Sequence, residues 1–397
     1  VSTQTYDVIV AGLGAMGSAT TCELAARGSR VLGLDRFSPP HTLGSTHGQS
    51  RIIREAYYEH PTYVPLVRRA YERWAALERT TGRQVLIQTG GLSMGRPESS
   101  AVVGARTSAI EHGIPYEELS AAELRRRLPV FAADADTVAI WEPRAGVLLP
   151  EVAIEAHLQH AARLGAMIRC DEPVIRWRAE GEGRDEWIAV TTPRATYYAN
   201  RLVLTVGAWT RELLPDLELP LVVERQVMLW FRPVRNPVAF TPARFPVFIW
   251  EYDTDRFWFG LPDIGDGLKL AVHHDGESTT ADTVRRVVTP EDVAPVRALV
   301  RQHLPDIDGA PIASAVCLYT DTPDLHFLID RHPAHAGVIL ATPCSGHGFK
   351  FASALGEVLA DLALTGKSAF DLSLFRLDRF ARAGRAAPAS PAADGAS

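Results

Sequence analysis

The stretch YDVIVAGLGAMGSAT, from Tyr6 to Thr20, limits the fold more than any other part of the chain. An apolar run ends at Gly12, and Gly12, Gly14 and Gly17 form G-x-G-x-x-G ahead of a second apolar stretch that closes at Gly28. The run RVLGLD follows and ends on Asp35. Strand, glycine turn, helix and second strand over residues 6–35 make one βαβ unit. The first glycine permits the tight turn, the second lets a pyrophosphate approach the backbone, and the third lets the helix lie close to the strand. The positive end of the helix then meets the phosphates. Asp35 is placed to accept hydrogen bonds from ribose hydroxyls. A dinucleotide-binding domain is the expectation, and the motif alone does not separate NAD from FAD.

The rest of the chain has to build a second core, because 397 residues exceed what one simple core serves. Helix and strand patterns return in PEVAIEAHLQHAARLGAMIRC, in RLVLTVGAW, and in GVILAT followed by FASALGEVLADLALTG. Between them lie aromatic strand-like runs, VMLWF, FPVFIWEY and RFWFGLP, and then the helical PEDVAPVRALVRQHL. Residues 85–147 read as short strands with one helix, SAAELRRRL. The pattern predicts an α/β chain of two interleaved domains. Residues 1–85, 148–218 and 315–380 form the dinucleotide domain, residues 86–147 and 219–314 form a second, β-rich domain, and the Ala/Pro/Ser-rich residues 381–397 form a disordered tail.

Charge and cysteine content exclude several classes. A net charge of −6 and a pI near 6.1 leave no basic footprint for nucleic acid. No apolar run reaches the roughly 18–20 residues that span a bilayer. Cys22, Cys170, Cys317 and Cys344 have no metal-type spacing and are too few for a disulfide framework. The first strand starts within six residues, so no signal peptide is expected and a cytoplasmic location is. The pairs His157/His160 and His332/His335 lack further ligands and read as surface histidines, so no metal is expected.

Three separated stretches narrow the function. PPHTLGSTHGQSRIIREAY (39–57), CLYT (317–320) and SGHGFKFASALGEVLADLALTGK (345–367) resemble, in that order, the monomeric sarcosine oxidase and N-methyltryptophan oxidase family. The likeness runs from residue 6 to about residue 380. It implies a Rossmann-type FAD domain of the glutathione-reductase kind, a smaller β-sheet substrate domain, a monomer, and FAD attached covalently by a thioether from Cys317 to the 8α-methyl group. A thiolate is nucleophilic enough for that bond, although a free cysteine is most often a small buried hydrophobe.

By the same resemblance, Arg54 and Lys350 hold a substrate carboxylate, and His47 and Arg51 lie by the flavin to support its attachment and reduction. Lys269 activates oxygen, while His273 and Tyr319 face the substrate. The remaining cofactor contacts are implied to be Gly12, Gly14, Met16, Gly17, Asp35, Arg36, Ser50, Val174, Gly207, Gly346, His347, Gly348 and Phe349. The chemistry suits these residue types. A guanidinium grips a carboxylate through two parallel hydrogen bonds, and Arg51 and Arg54 would share a face on a helical turn. A fixed ammonium stabilises the anion that forms as oxygen takes an electron. Gly346 and Gly348 let backbone N–H groups face flavin carbonyls.

The implied reaction oxidises the C–N bond of a secondary amino acid, sarcosine first. The imine hydrolyses to formaldehyde and glycine, and O₂ becomes hydrogen peroxide. Thr46, Gln49 and Ser50 depart from the family pattern, as does Phe259 beside the bulky Trp258. An aromatic-lined pocket would admit larger or cyclic amines, of the N-methyltryptophan, proline or pipecolate type. Trp230, Trp250 and Trp258 would either line such a pocket or form sheet core. An NAD-dependent dehydrogenase gives no account of Cys317 or SGHGFK. A catalytically silent dinucleotide-binding sensor would have little reason to keep Arg54, Lys269, Tyr319 and Lys350 together.

Overall fold

The βαβ unit forms where the glycines place it. Thr5–Ala11 and Val31–Leu34 pair in parallel, and the helix Ala15–Ala26 joins them. The computed structural model describes residues 5–181, 186–307 and 309–383. Thr5–Ala11 pairs on its other side with Thr196–Leu204, which pairs with Val338–Thr342, and Met167–Arg169 extends the sheet beyond Val31–Leu34. All these pairings are parallel, and Thr5–Ala11, Val31–Leu34 and Val338–Thr342 are apolar almost throughout because both their faces are covered. Val8, Val10, Val31, Val203 and Ile339 face a layer built from the helices Ala15–Ala26, Tyr63–Thr81, Pro150–Arg163 and Ala352–Leu364. Ile9, Leu32, Leu34, Leu202 and Leu340 face the other way, onto Ile188, Val190, Leu214 and Leu219. An antiparallel meander of Arg176–Glu180 and Trp187–Thr191 continues onto the first half of Thr196–Leu204.

A second sheet of nine strands is mostly antiparallel. Val222–Phe231 pairs from Val222 to Trp230 with Ala313–Asp321, and on its other side with Leu268–His273 and Ser278–Thr279. Arg256–Leu261, Val247–Asp253, Gly91–Gly95, Val138–Glu142 and Glu117–Ser120 complete the order. Period-two alternation assigns the faces. Leu268, Leu270, Val272, Trp250 and Trp258 join the core under the helix Pro290–His303, and Lys269, Ala271 and His273 face a cavity. A three-stranded sheet of Arg51–Ile53, Gly146–Leu148 and Leu86–Gln88 lies apart from both.

Several sequence expectations need correction. The strand carrying Cys317 belongs to the nine-stranded sheet, because its register with Val222–Phe231 runs from Ala313 to Asp321. A boundary at 315 therefore cuts through a strand. Arg51 and Arg54 do not share a helical turn, since Arg51–Ile53 is a strand. The helix Ser100–His112 was not expected: its apolar residues are short and its apolar stripe is interrupted by Gly104. That glycine lets the helix lie against the Tyr58 carbonyl, where a Cβ would collide. The helix Asp378–Ala383 includes residues 381–383 of the expected disordered tail, and residues 384–397 lie outside the described residues. His157 and His332 are buried rather than on the surface; His157 packs on Trp74 and His332 pairs with Asp216 at 2.9 Å. Among the described residues, no helix is long and apolar enough to cross a membrane.

Candidate active site

A cavity of about 460 Å³ has one wall at the glycine turn and another on the nine-stranded sheet. Gly12 has φ +87°, and a Cβ there would lie 2.5 Å from the Thr205 carbonyl oxygen. Gly14 caps the helix Ala15–Ala26 with no side-chain cap. The nearest atom to a Cβ at Gly14 is Thr46 Oγ1 at 3.6 Å, so the backbone N–H groups of the helix start open towards the cavity. Asp35 accepts from Leu13 N at 2.6 Å and from Phe37 N at 2.8 Å, which ties the glycine turn to the second strand. Burial pushes the Asp35 carboxyl above its ordinary range. Met16, Arg36, Val174 and Gly207 complete this end of the lining.

Two strands supply the reactive-looking side chains at the other end. Cys317 and Tyr319 share a face of Ala313–Asp321, and Lys269 and His273 share a face of Leu268–His273. Cys317 is only 3% exposed. Its sulfur lies 3.6 Å from the Arg51 guanidinium, which also donates to the Ser45 carbonyl at 3.0 Å. Lys269 is 2% exposed, and its Nζ donates to the carbonyls of Gly48, at 3.0 Å, and Ser50. Burial, with Arg51 adding to it, holds the Lys269 ammonium well below the ordinary lysine range. His273 Nδ1 lies 3.0 Å from Tyr319 Oη. Burial, and then His274, depresses His273 well below the usual imidazole range. Gly346, at φ +73°, brings its backbone against this pair; a Cβ there would be 2.5 Å from His273 Cε1 and 2.7 Å from Tyr319 Cε2.

A third group joins the two ends. Arg54 donates to both carboxylate oxygens of Glu59, at 2.9 and 2.8 Å, and lies over the rings of Tyr57 and Tyr58. Burial alone would raise the Glu59 carboxyl, but Arg54 outweighs it and holds the group ionised. Lys350 Nζ donates to the His347 carbonyl at 2.7 Å and to Tyr57 Oη at 3.3 Å. Burial, with the Arg54 charge adding, lowers Lys350 to about 7. His347 is lowered to about 3, chiefly by burial, and its Nδ1 lies 2.6 Å from Tyr57 Oη. Ser50, Gly348 and Phe349 also line the cavity.

The structure thus brings together every expected site residue except two. Gly17 supports the turn from behind, where a Cβ would fall on the Gly12 carbonyl. His47 is buried outside the lining, its Nε2 has no hydrogen-bond partner, and burial followed by Arg51 lowers it to about 3. Trp230, Trp250 and Trp258 are core and do not line the cavity, whereas Phe259 does. Sequence reasoning missed Glu59, Tyr58, Thr205, Gln226 and Met228. For Glu59 the signal was available, as an acid five residues after Arg54 in a segment full of aromatics.

The model of a family described as FAD dependent oxidoreductase matches residues 7–362. The chain belongs to that family. It is 45% identical over 383 residues to the monomeric sarcosine oxidase of Streptomyces avermitilis, covering 96% of this chain and 99% of that one. The N-methyl-L-tryptophan oxidase of Yersinia pestis is 35% identical over 378 residues, covering 94% and 99%. Among solved structures, NikD, an unusual amino acid oxidase essential for nikkomycin biosynthesis, superposes with a TM-score of 0.81 at 25% identity, covering 94% of this chain and 98% of that one. The L-proline dehydrogenase of P. horikoshii shares the fold, with a TM-score of 0.82 at 21% identity over 96% and 99%. The residues present fit FAD. An open helix start and a buried carboxylate stand at the glycine end, and Ser50, Arg51 and Gln226 line the same cavity as Cys317.

Proposed function

We propose that this oxidoreductase oxidises the C–N bond of a secondary amino acid, sarcosine first, with FAD held covalently through Cys317. The overall balance is sarcosine, O₂ and water giving glycine, formaldehyde and hydrogen peroxide. The observation that carries the reading is the row of side chains on one sheet face, Cys317 and Tyr319 beside Lys269 and His273, across the cavity from the glycine turn. When bound, FAD supplies a two-electron acceptor for the substrate carbon and a donor for O₂.

Arg54 and Lys350 provide the positive charge for a carboxylate, and Tyr57 holds Lys350 in place. The amine has to react as the neutral base, whose lone pair assists C–H cleavage, and a buried site disfavours its charged form. His273 and Tyr319, hydrogen-bonded and uncharged, would contact the amine without competing for the carboxylate. The Arg51 guanidinium lies 3.6 Å from the Cys317 sulfur, the atom that would form the thioether. Lys269, when protonated, offsets negative charge developing on oxygen at a position with little solvent exposure. Tyr58, Phe259, Ile249 and Leu261 make one wall apolar, which favours bulkier N-methyl amino acids as a second substrate group. A monomer in a reducing cytoplasm completes the reading, in keeping with four unpaired cysteines.

Acid precipitation of the purified protein tests the attachment. Yellow colour should stay in the pellet and move to the supernatant in Cys317→Ser. Peroxide release with sarcosine tests the reaction, and its absence with every N-methyl amino acid would end the proposal.

A further inference from the structure

The row of side chains on the cavity face does not stop at Tyr319. The next residue on the same face is Asp321, and the register that sets Val222 opposite Asp321 and Glu224 opposite Tyr319 puts Glu224 on that face as well. His274 follows the Leu268–His273 strand with φ +54°, a left-handed turn that departs from the strand's alternation. Its Nδ1 lies 3.5 Å from Glu224 Oε2 and 3.7 Å from Asp321 Oδ2. One potential ligand atom from each of the three residues falls within 4.8 Å of the others. None of the three lines the cavity, so the cluster is separate from the site described above.

Two features distinguish it from an ordinary acid–imidazole contact. Asp321 is 7% exposed, and its Oδ1 has no hydrogen-bond partner. A buried carboxylate oxygen left unpaired calls for a counter-group. Glu224 is already oriented, since its Oε1 accepts from Gly276 N at 2.8 Å and from Gln226 Nε2, leaving Oε2 turned to His274. Around a tetrahedral zinc with bonds of about 2.0–2.2 Å, ligand atoms stand roughly 3.3–3.6 Å apart. The two distances to His274 are close to that edge. The His274 side chain is 22% exposed, which leaves a path for entry and a position for water.

We propose that Glu224, His274 and Asp321 bind one first-row divalent cation of the zinc class, with water as the fourth ligand. One imidazole nitrogen beside two carboxylates favours such an ion over magnesium. The ion would clamp the turn after His273 to the Ala313–Asp321 strand. The His274 ring centroid is 4.1 Å from that of His273 and 5.2 Å from that of Tyr319, so the clamp would fix the pair that faces the substrate.

The test is equilibrium dialysis of the chelator-treated holoenzyme against zinc chloride, with metal counted by mass spectrometry. About one zinc per chain should be retained, with no retention of magnesium from magnesium chloride. His274→Ala and Glu224→Gln should each weaken zinc binding at least about tenfold, and zinc should raise the melting temperature of the native protein alone. Should His274→Ala lose its cooperative melt, the nearly isosteric Asp321→Asn gives the same readout. Substoichiometric zinc in the native protein would overturn the proposal. So would unchanged binding in a folded variant, which would place the metal elsewhere.

Discussion

The two ends of the cavity are built from different materials. At the glycine end the contacts are backbone: Gly12 lies against the Thr205 carbonyl, Gly17 against the Gly12 carbonyl, and Asp35 is bonded to the Leu13 and Phe37 amides. At the sheet end they are side chains sent in from separate strands, with Arg51 meeting Cys317 across 266 residues. A backbone cradle tolerates no added atom, because peptide groups cannot swing aside. A side-chain cluster can lose a member and keep its shape, while losing what that member does. Mutations at the first end should therefore remove the protein or its flavin, and mutations at the second should remove steps of the reaction.

Gly17→Ala is expected to have the largest effect. Its Cβ would occupy the space of the Gly12 carbonyl, so the first helix has to move off the first strand. The expected cost exceeds about 4 kcal/mol, the range reserved for core disruption. The checks are the yield of yellow protein and the thermal midpoint. A stable, fully flavinylated Gly17→Ala protein would break the comparison at its rigid end.

Lys269→Met makes the opposite test. The ammonium is 2% exposed and donates to the Gly48 and Ser50 carbonyls. Replacing it with an apolar chain of similar length removes a buried charge, which is often neutral for stability or better. The melting temperature and bound flavin should stay, while the oxygen-consuming half of turnover falls about 10²–10³-fold. Stopped-flow reduction and reoxidation, measured separately, would show the split. A variant slowed equally in both halves would mean that Lys269 organises the whole site rather than one step.

These contrasts match what the sequence revealed. The glycine end was legible because its constraint is local: three glycines and an acid within 24 residues of chain, each required by the backbone. The sheet end was reached only through a resemblance, because no spacing rule connects Arg51 to Cys317. Where spacing was used there it misled: Arg51 and Arg54 sit on and just after a strand, one turned to sulfur and the other to Glu59. His157 and His332 were misplaced for a related reason, since residue type and interval carry no information about what covers a side chain. The helix Ser100–His112 was lost because its contact with Tyr58 needs a glycine, which in a sequence argues against a helix.

The pH dependence of anion binding sharpens the comparison further. Lys350 has its ammonium lowered to about 7 by burial and by Arg54, whereas Arg54 stays charged throughout. A carboxylate probe such as acetate is ionised from pH 6 to 9, so its affinity follows Lys350, the cation of the pair that titrates in this range. Binding should be tightest below pH 7 and weaken above it, by up to about tenfold per pH unit, until Arg54 carries the remainder. Lys350→Met should flatten that profile. Stability runs in the opposite sense: the unfolded chain binds the Lys350 proton up to the ordinary lysine range, so burial of this group costs most below pH 7 and the cost fades as pH rises. Flavin absorbance titrations with acetate, and thermal melts over the same range, would check both signs.

The smallest expected effects come from two neighbours on one strand. Trp258 and Phe259 point to opposite faces of Arg256–Leu261, Trp258 into the core against Phe248 at 4.9 Å and Phe259 into the cavity opposite Ala271. Trp258→Phe should cost about 1–3 kcal/mol of stability, softened because the indole Nε1 has no hydrogen-bond partner to lose. It should leave the ratio of kcat/KM between sarcosine and a bulky N-methyl amino acid unchanged. Phe259→Val should shift that ratio towards the bulky substrate by on the order of tenfold, the discrimination that a few methylene groups in an apolar pocket provide. Its stability should change less than that of Trp258→Phe, because its ring faces a cavity rather than packed side chains. If both variants altered specificity, the core and cavity faces of the sheet would be mechanically coupled, and the division between a rigid end and a reactive end would fail at the strand where alternation defines it most clearly.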